Sequence, residues 1–482
     1  MESILILAFV ALLLTIYSRA AGNPLEHSWA FRLRRFRNWL PLGLTYAFLY
    51  MGRYNLTVSK NAFGDLMSKA DFGVIFAAGT ITYAFSFLIN GPLTDRIGGK
   101  RAILISSAGS AVMNAVMGIV TYVVLTKPDT AGTNLVLFFS IAYAMNMYFQ
   151  SYGAVSIVKV NSNWFHVRER GSFGGMFGVL ISLGIYFAFD WGAAVVDAVR
   201  IVPKNALSFS QNALRSVVDP VASGLGDQIW WVFFVPAGIL ATFFFLDIFL
   251  LRERPSLAGF KDLDTGDASS GESQEQMPVR AILKKILTNR VIWVIGSIEF
   301  CSGVLRNGVM HWYPIYAKET KIPKDFFFRK HWGKVLAIAG ITGGMVAGFI
   351  SDKVFGSRRG PVAALLYGIM VIFTGIMIFV LKQQFMLGTV VGIMSLAVIG
   401  VHGMLSGTAT MDFGGRQAAG TAVGVIDGFV YLGTGVQSLA LGWINSRDWS
   451  YWPVFMLPFA LFGLMQALRI WKAFPDAKKK KK

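Results

Sequence analysis

Twelve apolar stretches, each close to the length that crosses a bilayer, leave this chain one class of fold. They run over residues 39–58, 72–94, 102–125, 134–160, 172–198, 229–251, 291–316, 332–354, 361–381, 386–410, 418–443 and 451–471. About twenty apolar residues span the hydrocarbon core as a helix, because no water is present there to satisfy open backbone groups. The expectation is an all-α polytopic membrane protein. Charged residues make up only 15% of the 482 and hydrophobic ones 54%, against ~25% charged in a soluble domain. Basic residues gather after alternate spans, at Arg96/Lys100/Arg101, Arg168/Arg170, Arg252/Arg254, Arg358/Arg359, Arg416 and from Lys472 onward. That alternation marks the cytoplasmic side. It also absorbs the net charge of +19, so a nucleic-acid partner is excluded. Lys318 to Lys334 breaks the pattern, being basic on the outer side.

The spans divide the chain. Residues 1–37 hold an apolar stretch at 3–17, short for a span and read as an extra anchor or an interfacial helix, followed by cytoplasmic arginines. Residues 38–251 form a first six-helix bundle, 252–290 a cytoplasmic linker with polar Ser256 to Pro278, and 291–471 a second bundle. The tail 472–482 ends in Lys478 to Lys482 and meets anionic lipid head groups. The cell membrane is the expected location. The lysine tail also satisfies a dilysine endoplasmic-reticulum signal, which makes that membrane the second possibility. The single Cys301 excludes an internal disulfide and reads as a packing residue.

Two arginines interrupt the apolar pattern. Arg53 lies mid-segment in Tyr46-Ala-Phe-Leu-Tyr50-Met-Gly-Arg53-Tyr-Asn-Leu-Thr57. Helical spacing puts Tyr46, Tyr50, Arg53 and Thr57 on one face. An arginine at that depth costs roughly 2.5–3.5 kcal/mol on insertion scales, so this polar stripe faces a bundle interior or a watery cavity. Arg306 sits at similar depth in Glu299-Phe-Cys-Ser-Gly-Val-Leu-Arg306-Asn-Gly-Val-Met-His311-Trp-Tyr313. Two guanidiniums at matching depth point to one central site whose missing partner is an anion. The alternatives are snorkelling or a carboxylate partner for Arg53, and pairing with Glu299 for Arg306. Lys159, in the fourth span, is a third basic candidate or a snorkelling side chain. Tyr46, Tyr50, Tyr152 and Tyr313 can add hydroxyls, and His311 follows Arg306 closely. Glu299, His402 and Asp427 are candidates for coupling, Asp427 with Lys159 or a proton as its partner.

The two halves repeat. Gly91-Pro-Leu-Thr-Asp95-Arg96-Ile-Gly-Gly-Lys100-Arg101 follows the second span, and Gly348-Phe-Ile-Ser-Asp352-Lys353-Val-Phe-Gly-Ser-Arg358-Arg359 follows the eighth. The arginine pair and the pair Gly171/Gly420 fall at nearly the same offset, which indicates duplication. This loop resembles the signature of the major facilitator superfamily, where such loops gate the inward-closed state. The resemblance implies a twelve-helix fold of two six-helix halves. Gly52-Arg53-Tyr54-Asn55, Leu305-Arg306-Asn307-Gly308, His311-Trp312-Tyr313-Pro314 and Ala418-Ala-Gly-Thr421-Ala resemble the organophosphate:phosphate antiporters over roughly residues 32–472. In that family the two arginines bind the phosphoryl group and the halves rock around it, exchanging a phosphate ester for inorganic phosphate. The glycerol-phosphate type carries a lysine and a histidine where this chain has Phe87 and Ile181. The sequence holds no phosphate-cradling glycine loop, no metal-spacing cluster and no nucleophile triad, so no enzyme, metal or cofactor is expected, and a monomer is the expected state. A sugar-phosphate sensor without transport and a proton-coupled organic-anion symporter are the rival readings.

Overall fold

The computed structural model describes residues 25–127, 134–166, 178–200, 209–218, 227–263, 290–355 and 358–472, with a few single positions besides; the side chains of 95, 209–210, 349, 352–353, 407–420 and 422 are outside that description. Most of the amino-terminal apolar stretch at 3–17, Arg168, Arg170, the linker from 264 to 283 and the lysine tail therefore lie outside the described residues, as do the side chains of Asp95, Asp352, Lys353 and Arg416.

The described chain is helical almost throughout. The first half comprises α1 (Trp29–Phe63), α2 (Lys69–Ile97), α3 (Gly99–Thr126), α4 (Leu135–Trp164), α5 (Gly178–Val199), a short α6 (Phe209–Val218) and α7 (Trp231–Leu250). The second comprises α8 (Arg290–Met310), α9 (Trp312–Glu319), α10 (Phe327–Lys330), α11 (Trp332–Phe349), α12 (Arg359–Val380), α13 (Gln384–His402), α14 (Thr410–Ile444) and α15 (Tyr451–Arg469). Each of the twelve expected spans is met by a helix. Eight helices among the described residues are long and apolar enough to cross a membrane. The long helices outside that group, α1, α4 and α8, carry the polar residues Arg53, Asn146, Gln150, Glu299 and Arg306, which lower their hydropathy. The least lipid-like helices are thus ones that bring charged and amide side chains to the centre.

The boundaries differ from the apolar stretches in instructive ways. α1 starts ten residues before its apolar segment, capped by the Ser28 hydroxyl. The seventh span is two helices. Pro314 has no N–H to give Met310, one turn back, and the Met310 carbonyl instead accepts from Trp332 Nε1 at 2.9 Å. The Pro314 carbonyl accepts from Asn61 at 3.2 Å, tying α9 to α1. Wider π turns interrupt three spans, at Phe187–Trp191, Ile350–Val354 and Gly403–Ala409. Hydropathy carries no signal for such turns, which recur at functional sites.

Close packing crosses the halves. α2 of the first half lies along α14 of the second, and within the second half α8 packs on α14. At Gly303 a side chain would strike the Val430 backbone, so α8 and α14 approach as only small residues allow. The outer end is tied by Lys69 to Glu319 at 2.8 Å and by Lys318 to the Asn61 carbonyl. The unexpected outer basic segment finds its account here. Lys318 joins the halves, and Arg329 donates to the Ala317 and Ile322 carbonyls just past α9. Residues 252–263, read from sequence as linker, belong to the first half. The Glu253 carboxylate accepts from Gly99 and Lys100 backbone N–H groups at 2.9 and 2.7 Å, capping α3. Phe260 packs on Phe31.

Candidate functional site

Arg53 is fully buried in the middle of the molecule. Its Nε donates to Gln150 Oε1 at 2.8 Å, Nη1 to the Tyr431 hydroxyl at 2.8 Å and Nη2 to the Tyr83 hydroxyl at 3.0 Å. Its guanidinium carbon lies 4.8 Å from the Tyr50 ring and 4.6 Å from the Tyr83 ring. All three hydrogen-bond partners are neutral, so neither snorkelling nor a carboxylate compensates this charge.

The position is built from below. The Gly52 carbonyl accepts from Asn114 at 3.1 Å and Asn146 at 3.0 Å, and the Arg53 carbonyl from the Tyr143 hydroxyl at 3.1 Å. A side chain at position 52 would meet Asn114 Nδ2 at 2.9 Å. Glycine before the arginine thus lets α3 and α4 hold the α1 backbone by its carbonyls.

Arg306, on α8, presents the opposite case. It is 8% exposed. No hydrogen bond to it is found among the described residues, and its Nε is buried without a partner. Glu299 does not pair with it: the Glu299 carboxylate meets His402 Nδ1 at 2.9 Å instead. Tyr431 joins the two arginines, its ring centre 5.8 Å from the Arg53 guanidinium carbon and 6.0 Å from that of Arg306. Two guanidiniums from different halves therefore flank one aromatic ring with no described acid bound to either. Such a pair is complementary to a dianion with several acceptor oxygens.

The other expected residues fall into three places. Tyr50 joins the arginine centre, and Tyr46 packs edge-on against Tyr50 at 5.4 Å. His311 is a strut between halves. Its Nδ1 pairs with the Thr57 hydroxyl at 2.8 Å and its Nε2 with Asn307 Oδ1 at 3.0 Å, and Asn307 donates to Thr434 at 2.8 Å. With both ring nitrogens engaged, it is not offered to a ligand. Tyr313 lies beyond the helix break and packs on Trp332 at 4.5 Å. Tyr152 reaches Tyr148 at 3.5 Å rather than either arginine. Lys159 is nine residues past Gln150 on α4, ~13 Å further along the helix at helical rise, and so stands apart from the centre. Asp427 accepts from the Ser406 hydroxyl rather than from Lys159. In the repeated loops expected to gate, Gly91 is buried in α2 while Arg96, Arg101 and Arg358 are exposed.

Sequence reasoning missed Tyr83, Gln150 and Tyr431. Gln150 and Asn146 carried a signal as amides inside an apolar span. The two tyrosines did not, since aromatics are common in spans. Phe87, at the position where the glycerol-phosphate type has lysine, packs on Tyr83 at 4.6 Å and walls this centre with an apolar ring.

Residues 42–438 match the profile of the Major Facilitator Superfamily. The chain belongs to this superfamily. Its members are membrane transporters rather than enzymes. The chain is 25% identical to a glycerol-3-phosphate transporter of Bacillus subtilis, over 87% of this chain and 88% of that one. It is 24% identical to a probable hexose phosphate transport protein of Chlamydia trachomatis over 92% and 93%, and 23% identical to the membrane sensor protein UhpC of Escherichia coli over 90% and 92%. These relatives are of the organophosphate:phosphate antiporter family. A bacterial homologue of the human lysosomal transporter Spinster, solved inward-facing and unoccupied, shares the fold with a TM-score of 0.65 at 14% identity over 92% of this chain and 98% of that chain.

Proposed function

We propose that this superfamily member carries an organic phosphate ester across the membrane in exchange for inorganic phosphate, gripping the phosphoryl group between Arg53 and Arg306. The observation that carries the reading is Arg306: a buried guanidinium, without a hydrogen bond among the described residues, beside the ring that also meets Arg53. An uncompensated buried charge is expensive, and a phosphate dianion would supply the acceptors. Exchange follows from the same electrostatics. Closing the halves on two bare guanidiniums is unfavourable, so the carrier crosses loaded with one anion or the other. Glycerol-3-phosphate and sugar phosphates are the substrate class favoured by the relatives, and the bacterial relatives favour the cell membrane as the location. Counterflow of labelled phosphate in liposomes, with phosphate esters as competitors, tests the reading. A wild-type protein that moves no phosphate would overturn it.

The sensor reading has one observation behind it, the similarity to a membrane sensor protein. It predicts ester binding without flux in the same liposomes.

A further inference from the structure

Glu299 stands seven residues before Arg306 on α8, two turns away on the same face and ~10 Å along the axis. It is fully buried. One carboxylate oxygen, Oε2, is held by His402 Nδ1 at 2.9 Å, while Oε1 is buried with no hydrogen-bond partner. On α14, Asp427 lies four residues before Tyr431, one turn away on the same face and ~6 Å along the axis. It is 9% exposed and accepts from the Ser406 hydroxyl. Ser406 comes from the π turn Gly403–Ala409 that directly follows His402, so one local widening of the helix serves both acids. α8 and α14 both run outward from cytoplasmic connections. Both acids therefore lie on the cytoplasmic side of the arginine level, and His402, with its side chain 20% exposed, is the accessible member of the group.

We propose that Glu299, His402 and Asp427 form the subsite for the organic part of the ester, and that it selects hydroxyl-bearing chains over chains that end in a carboxylate. The proposal rests on the phosphoryl grip described above and adds the other end of the site. With phosphate at the arginines, the rest of the molecule extends toward the acids. A hydroxyl brings a donor to the vacant Glu299 oxygen and to Asp427. A carboxylate is acceptor-only. It would set acceptors against the vacant Glu299 oxygen, which costs affinity. Inorganic phosphate has no chain and never reaches this end.

Glycerol-3-phosphate and 3-phosphoglycerate provide a matched pair of probes, with the same three-carbon skeleton ending in CH2OH or in a carboxylate. Their relative potency is read by competition with labelled phosphate in liposomes holding the full-length protein, and independently by thermal stabilisation of the detergent-solubilised protein. Wild type should favour glycerol-3-phosphate by at least about tenfold. Glu299→Gln and Asp427→Asn, whose amides can donate to a carboxylate, should each pull that ratio toward one. A ratio is insensitive to a general loss of activity, and the two changes lie on different helices, so misfolding of one leaves the other informative. A wild-type ratio near one, or a ratio unchanged in both variants, overturns the subsite while leaving the phosphoryl grip standing. Absence of any phosphate binding by wild type overturns the grip and the subsite with it.

Discussion

Arg53 and Arg306 occupy matching places in two repeated halves, yet their surroundings differ completely. Arg53 donates to Gln150, Tyr83 and Tyr431 and is held from beneath through the Gly52 and Arg53 carbonyls. Arg306 has an unpartnered Nε among the described residues and a ring face 6.0 Å away. One arginine is tied into the architecture, and the other is left without a hydrogen bond among the described residues. A duplicated fold thus need not distribute its labour evenly. The first half supplies a hydrogen-bonded guanidinium, and the second supplies one that the described residues leave unpartnered at Nε. The neighbouring acids sharpen the contrast, because Glu299 and Asp427 both come from the second half and neither is spent on Arg306.

The comparison can be broken most directly at the arginines themselves. Arg53→Lys and Arg306→Lys should each reduce phosphate counterflow by about a hundredfold, since an ammonium cannot reproduce a planar two-donor grip and misplacement of a bound group is costly. Equal loss in both supports a shared site. Loss in only one would show that the two do not hold the same anion. Stability should then separate them. Arg53→Gln leaves hydroxyl and amide oxygens without their donor and should cost ~2–3 kcal/mol, read as a lower Tm in detergent. Arg306→Gln removes an uncompensated charge and should leave Tm unchanged or raise it. A Tm drop in Arg306→Gln matching that of Arg53→Gln would erase the distinction drawn here.

Smaller effects refine the picture. Tyr431→Phe keeps the ring between the guanidiniums but removes the hydroxyl that accepts from Arg53, and should cost ~1 kcal/mol of substrate affinity, measured as the half-saturating ester concentration. The smallest change is expected at Lys159→Gln, about twofold or less in the same assay, because a helical rise of ~13 Å separates it from the Arg53 level. A loss as large as that of the arginine variants would mean that Lys159 reaches the anion at another stage of the cycle.

Much of this arrangement was legible before any coordinates. Apolar runs of bilayer length and alternating basic connections define a multi-helix membrane bundle, because a backbone without water has few alternatives. The depth of Arg53 and Arg306, and the repeated loop around Gly91 and Asp95, marked the centre and the duplication, because charge in an apolar segment is conspicuous. What stayed hidden is what apolar periodicity does not encode. The choice of His402 over Arg306 as the partner of Glu299 spans 103 positions of chain and is decided by which helices touch. The break at Met310 depends on Trp332 being near enough to take a carbonyl that Pro314 cannot serve. The attachment of residues 252–263 to the first half depends on Glu253 meeting the start of α3. The sequence by itself determined that buried charges exist and at what depth, since insertion energetics act residue by residue. Only the tertiary structure decided which of those charges are satisfied by neighbours and which is left without one among the described residues, since that depends on contacts between helices distant in the chain.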